Sequence, residues 1–159
     1  DCIVEPHSYN PADSSTSEDG YDHFFATFQD GSDADGRVYR DIFEIAGLRR
    51  DEVTIGVAAE PFLSHAHHPA EGVCGLAFEQ ISFLDKPGFF FELMESDEVE
   101  RSLFALALSR YGPSELTLGG ANPELFYDVS LVPVVAESGF WEIEGALLGR
   151  ENVRLSFRF

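Results

Sequence analysis

The sequence predicts a mostly β fold with one or two short helices. Short runs of β-branched and aromatic residues recur along it, glycine-rich turns separate them, and a single segment, Phe89–Met94, has helical apolar spacing. With 44% apolar residues and 15 Phe the chain can bury a real core, and 159 residues suit a single domain, 1–159.

Residues 6–22 are dense in turn formers and poor in apolar side chains, which predicts a surface loop. Phe24–Phe28 and Val38–Ile45 read as the strands of a hairpin whose long acidic tip is Gln29–Gly36. Val53–Ala59 is the next strand, and Pro61–Gly72 is a loop carrying His65, His67 and His68. Val73–Phe78 reads as a short buried strand. Phe90, Leu93 and Met94 place one apolar face on a short helix, which an acidic stretch, Glu95–Glu100, follows. From Leu103 onward three or four strands are set off by Tyr111-Gly112-Pro113, Gly119-Gly120 and Glu137-Ser138-Gly139. No repeat or low-complexity linker divides the chain.

Ten basic residues against 29 acidic ones give a net charge of −19, which repels nucleic acid and anionic lipid and so argues against both as partners. Self-repulsion falls as carboxylates protonate, so the charge suits a protein working in acid as well as a merely soluble acidic one. No apolar run reaches the length of a membrane-spanning helix. The chain begins Asp1-Cys2-Ile3 with neither Met nor a signal-type segment, so the natural start is expected to lie upstream. Cys2 and Cys74 are readable equally as one disulfide or as two buried thiols.

Phe104–Ile143 runs strand, Gly-Pro turn, Glu115-Leu116-Thr117-Leu118-Gly119-Gly120, connection, Leu131-Val132-Pro133-Val134, then Gly139-Phe140-Trp141-Glu142-Ile143. This resembles the way a pepsin-like aspartic protease closes its amino-terminal lobe. His7–Thr16 is similar to that family's Phe-x-Pro-x-x-Ser-Ser-Thr loop, with Tyr9 for the Phe. Phe28-Gln29-Asp30-Gly31-Ser32 resembles the Tyr-Gly-Asp-Gly-Ser tip of the flap that closes over substrate. Val38–Ile42 looks like the returning flap strand, and Gly72–Phe78 with Ile81-Ser82 looks like Asp-Gly-Ile-Leu-Gly-Leu-Ala-Tyr-x-x-Ile-Ser. Pro87–Glu92 occupies the place of a helix start. The resemblance implies an incomplete pepsin-like acid protease lobe that lacks its first strands and runs into the inter-lobe sheet.

Proteolysis by that family needs two carboxylates sharing a proton, one acting as base on water and the other polarising the peptide carbonyl. No Asp-Thr-Gly or Asp-Ser-Gly occurs in the chain, so no catalytic residue is assigned and the two motifs are expected on either side of it. Asp30-Gly31-Ser32 and Asp33-Ala34-Asp35-Gly36 read as hairpin tip, which cannot hold a dyad. By resemblance Phe28, Asp30, Gly31 and Ser32 contact substrate. Phe28 keeps the ring of the family's tyrosine and loses its hydroxyl, Gln29 replaces a glycine, and one extra residue precedes Gly36.

The three histidines lack a Cys or carboxylate to complete a metal set, and the calcium-loop pattern around Asp33 fails at Gly31 and Ile42. No metal or cofactor is therefore expected. Serine-hydrolase elbows and phosphate loops are absent from the sequence. Phe140, Trp141 and Ile143 are expected in the core. Two readings compete: a portion of an aspartic endopeptidase, inactive by itself, and a pseudoprotease or peptide-binding module that keeps the flap and cleft wall. The expected partners are a peptide or protein substrate and, over uncovered strand edges, a second polypeptide fragment or a second copy. The family resemblance implies secretion or a vacuolar or lysosomal acidic compartment.

Overall fold

Residues 9–28, 31–59, 72–96, 98–126, 129–144 and 154–156 are described by the computed structural model. By backbone proximity the chain falls into two units, residues 1–75 with 82–86, and residues 76–81 with 87–159.

The first unit is built on a three-stranded antiparallel meander, β1 (Glu18–Thr27), β2 (Asp33–Ile45) and β3 (Leu48–Ala58). Along β2, Ala34, Gly36 and Val38 are buried while Asp33, Asp35 and Arg37 are exposed, the period of two that a half-buried strand requires. Val38 and Val53 with Ala26 and Ala34 make the apolar side of the sheet. Gly36 is demanded by close approach, since a Cβ there would lie 1.9 Å from the Val57 carbonyl oxygen. β2 and β3 are joined by Ala46-Gly47 at φ 52° and 81°, with Ile45 opposite Leu48, a two-residue connection with both torsions positive. Bulges interrupt the ladders between Asp19 and His23 of β1 and opposite Ile42 of β2, where β3 carries an extra residue.

Three expectations change in this unit. The strand begins at Glu18, inside the predicted surface loop, because polar Glu18 and Asp19 pair across to Arg40 and Tyr39 and Asp19 accepts a 2.7 Å bond from Arg37. The long tip shrinks, since Asp33–Gly36 belongs to β2; its inward residues are Ala and Gly, which hide the alternation from an apolar pattern. β3 likewise starts at Leu48 rather than Val53, a polar beginning held by pairing with Phe43–Ile45.

The second unit carries α1 (Phe89–Glu95), the β4–β5 hairpin (Phe104–Ala107 and Glu115–Leu118) and the β6–β7 pair (Glu142–Glu144 and Arg154–Ser156). α1 is the only α-helix among the described residues; it buries Phe90 and Leu93 as the spacing predicts, and Phe89 with them, while Met94 is only half-buried. It ends where Ser96 turns both its N–H and its hydroxyl back to the Leu93 carbonyl. Phe90 meets Phe104 edge to face at 5.1 Å, and Phe104 meets Trp141 edge to face at 5.3 Å. Phe78 lies 4.6 Å from Trp141. Trp141 Nε1–H donates to the Leu76 carbonyl at 2.7 Å, so its polar edge is satisfied inside the cluster. Phe140, Trp141 and Ile143 are half-buried, packed but not sealed.

Val73–Phe78 is not a strand. Val73 is 63% exposed and the backbone is irregular, since Phe78 N–H bonds to Gly139 carbonyl, outside any ladder. Cys74 is exposed too, which removes the buried-thiol alternative for it, while Cys2 lies outside the described residues. Residues 60–71, with the three histidines, also lie outside them. Among the described residues no helix is long and apolar enough to cross a membrane.

Candidate functional site

β1 and β2 meet in a short loop. Phe28 N–H donates to the Ser32 carbonyl at 2.8 Å and Gly31 N–H donates to the Phe28 carbonyl at 3.0 Å, closing a three-residue connection. Its third residue, Gly31, has φ +82°, the left-handed conformation that glycine adopts without strain. Among the described residues nothing beyond its chain neighbours lies within 4 Å of where a Gly31 Cβ would stand, so the backbone at Gly31 is open on that side. Gly31 is exposed, while Phe28 and Ser32 are half-buried. Of the four residues expected to contact substrate, Phe28, Gly31 and Ser32 are thus gathered at one tip, and Asp30 lies outside the described residues with Gln29. Asp33 and Asp35 project from β2 as exposed neighbours on one face.

A second polar centre sits further along β2. Asp41 is only 5% exposed. Its Oδ2 accepts from Tyr9 Oη at 2.6 Å, and its Oδ1 accepts from the Thr16 hydroxyl and, at 2.7 Å, from Ile42 N–H. The approach of Tyr9 and Thr16 follows from the loop's own geometry. Pro11–Asp13 makes a single 3-10 turn, and Asn10 Oδ1 caps it by accepting from Ala12 N–H. Burial by itself would raise the Asp41 carboxyl, yet the hydrogen bonds from Thr16, Tyr9 and Ser14 and from Ile42 N–H outweigh it and hold the group well below the usual carboxylate range. No Lys, Arg or His among the described residues is in salt-bridge contact with Asp41, so hydroxyls and one amide stabilise the charge.

An open depression of about 340 Å³ lies alongside, lined by Thr16, Glu18, Arg40, Asp41, Asp51 and Glu52. Its charged, open lining suits water better than an apolar ligand. Among the described residues no three His, Cys, Asp or Glu side chains are grouped to hold a metal ion. Reading the sequence missed Asp41 as a centre. The signal was present in two pieces, the Tyr9–Thr16 loop and the Val38–Ile42 strand, with nothing in either to say that they touch.

The family model for eukaryotic aspartyl proteases matches residues 1–155. Secreted aspartyl protease 1 of Malassezia globosa is 30% identical over 154 residues, covering 95% of this chain and 38% of that protein. Cathepsin D of Clupea harengus is 28% identical over 158 residues, 94% of this chain and 39% of that protein. Rhizopuspepsin of Rhizopus chinensis is 28% identical over 163 residues, 98% of this chain and 42% of that protein. The chain thus spans about two fifths of the length of these curated relatives.

Proposed function

From the premise that the chain belongs to the eukaryotic aspartyl protease family, we propose that it serves an aspartic endopeptidase as the wall and flap of the peptide-binding cleft. Residues 1–159 form the amino-terminal lobe without its first strands and continue into the sheet between the lobes. The observation that carries this reading is the β1–β2 tip, where left-handed Gly31 turns bare backbone toward open space. Phe28, Asp30, Gly31 and Ser32 lie along the bound peptide. Water is activated between two aspartates that other segments supply, and this chain holds and covers the substrate without touching the reacting atoms.

A second polypeptide segment or a second copy covers the apolar side chains of Leu125, Phe126, Val129, Leu131 and Val132, of which Leu131 is 95% exposed and Val129 62%. Location follows the same analogy. A relative carries the word secreted in its name, and an acidic extracellular or vacuolar compartment suits a chain of net charge −19.

Acid cleavage of a peptide by the full-length polypeptide is the test. Gly31→Val puts a side chain into the open space and strains the left-handed backbone, so kcat/KM should fall about 100-fold, the scale set by misplacing a positioning element. Unchanged cleavage overturns the flap reading. The second reading is a pseudoprotease or peptide-binding module that keeps the flap and cleft wall. It predicts that the full-length protein binds a statine-type peptide and cleaves nothing; any acid proteolysis removes it.

A further inference from the structure

The β1–β2 tip carries a phenylalanine where the resemblance expects a tyrosine, so its ring has no hydroxyl to anchor it. A different anchor is present. The rings of Phe28 and Phe83 stand 6.3 Å apart, tilted by 59°, within the range that aromatic pairs favour. Phe83 belongs to Ser82–Lys86, a five-residue segment that clusters with the sheet although residues 76–81 and 87–159 do not. A local turn presents it: Leu84 N–H donates to Ser82 Oγ at 3.3 Å, and Asp85 reverses the chain at φ 50°. Phe83 is still 50% exposed, so its ring is not committed to a core.

We infer that Phe83 is a positioning residue whose ring seats Phe28 and so holds the backbone bonds of Phe28 with Ser32 and Gly31. Backbone bonds tie the tip at Phe28, which donates to Ser32 and accepts from Gly31. Opening it moves Phe28 and therefore breaks the ring contact. The contact shifts the local opening of these backbone bonds by the fold-change an aromatic pair supplies, about 2- to 10-fold. An aromatic contact does not titrate, so the seat acts alike in acid and at neutral pH. The seat stands on the ring geometry; its effect on peptide binding rests on the flap reading above.

Amide hydrogen exchange on the 159-residue chain tests it. In Phe83→Ala the amides of Phe28 and Gly31 should exchange about 2- to 10-fold faster, while those of Val38 and Ile55, deep in the β2–β3 ladder, stay unchanged. Phe83→Tyr, which keeps the ring, should retain the protection that Phe83→Leu loses. Unaltered tip amides in Phe83→Ala overturn the inference. So does equal acceleration across the ladder, because the residue would then support the sheet rather than the tip. Protection retained in Phe83→Leu overturns it as well, since bulk would suffice. A second measurement, the affinity of the full-length protein for a statine-type peptide, separates the two ideas. A looser tip with unaltered affinity keeps the seat and removes the flap role; an unaltered tip beside a Gly31→Val defect removes the seat and keeps the flap.

Discussion

Asp41 shows how a single carboxylate is kept charged with no cation in salt-bridge contact among the described residues. It stays at 5% exposure because donors converge on both of its oxygens. A proton placed on either oxygen would face another donor, so the arrangement favours the ionised form. In Asp41→Asn the amide hydrogens point at those donors, and the unfolding free energy should drop by about 2–3 kcal/mol, the scale of hydrogen bonds to a charged group. The pH dependence has a definite sign. The folded-state pKa is depressed, so the stabilisation is complete above the ordinary aspartate value near ~4 and fades as pH falls toward the folded value. Urea melts of wild type and Asp41→Asn should therefore differ by a constant amount from pH 7 to about 5 and converge below about 4. A difference that grows in acid would contradict this account.

At the scale of elements, the connections explain which parts of the fold the sequence disclosed. α1 was readable because Phe90, Leu93 and Met94 combine large side chains with helical spacing, although Phe89 rather than Met94 completes the buried face. β2 was readable from Val38 onward and hidden before it, where Ala34 and Gly36 do the inward packing with little apolar signal. The turn at Ala46-Gly47 escaped for a similar reason. Alanine is an unexpected residue at φ 52°, a conformation that costs an L side chain roughly 1 kcal/mol and that Asn tolerates better. Ala46→Asn, giving Asn-Gly between Ile45 and Leu48, should raise the unfolding free energy by about 0.5–1 kcal/mol. A calorimetric or urea comparison decides it, and a loss of stability would show that the Ala46 side chain is needed where it stands. The candidate site divides the same way. The position of Phe28, Gly31 and Ser32 at a hairpin tip was expected by resemblance, whereas the Asp41 centre required Thr16 and Tyr9, 25 and 32 residues away in the chain, to touch it, a distance no local pattern reports.

Over the whole molecule charge decides how stability responds to the medium. With 29 acidic and ten basic residues the net charge is −19, and the ion pairs among the described residues, Arg37–Asp19 and Arg49–Asp51, are surface contacts. Surface pairs contribute about 0–1 kcal/mol each, so screening them loses little. Screening the repulsion among unpaired carboxylates gains more, because at 0.5 M salt the Debye length contracts to roughly 4 Å from the roughly 30 Å of 0.01 M. Raising NaCl from 0.01 to 0.5 M at pH 7 should thus increase the thermal midpoint by several degrees. The same step near pH 4 to 5 should do much less, since protonation has already removed part of the charge. The two effects run in opposite directions along the pH axis: repulsion relaxes as pH falls from 7, and the Asp41 contribution is lost only in stronger acid. Stability should therefore peak on the acid side of neutrality, and removing Asp41 should lower that peak without moving the salt response at pH 7. A midpoint that falls with added salt at pH 7 would mean that attraction between charges, not repulsion, governs the fold.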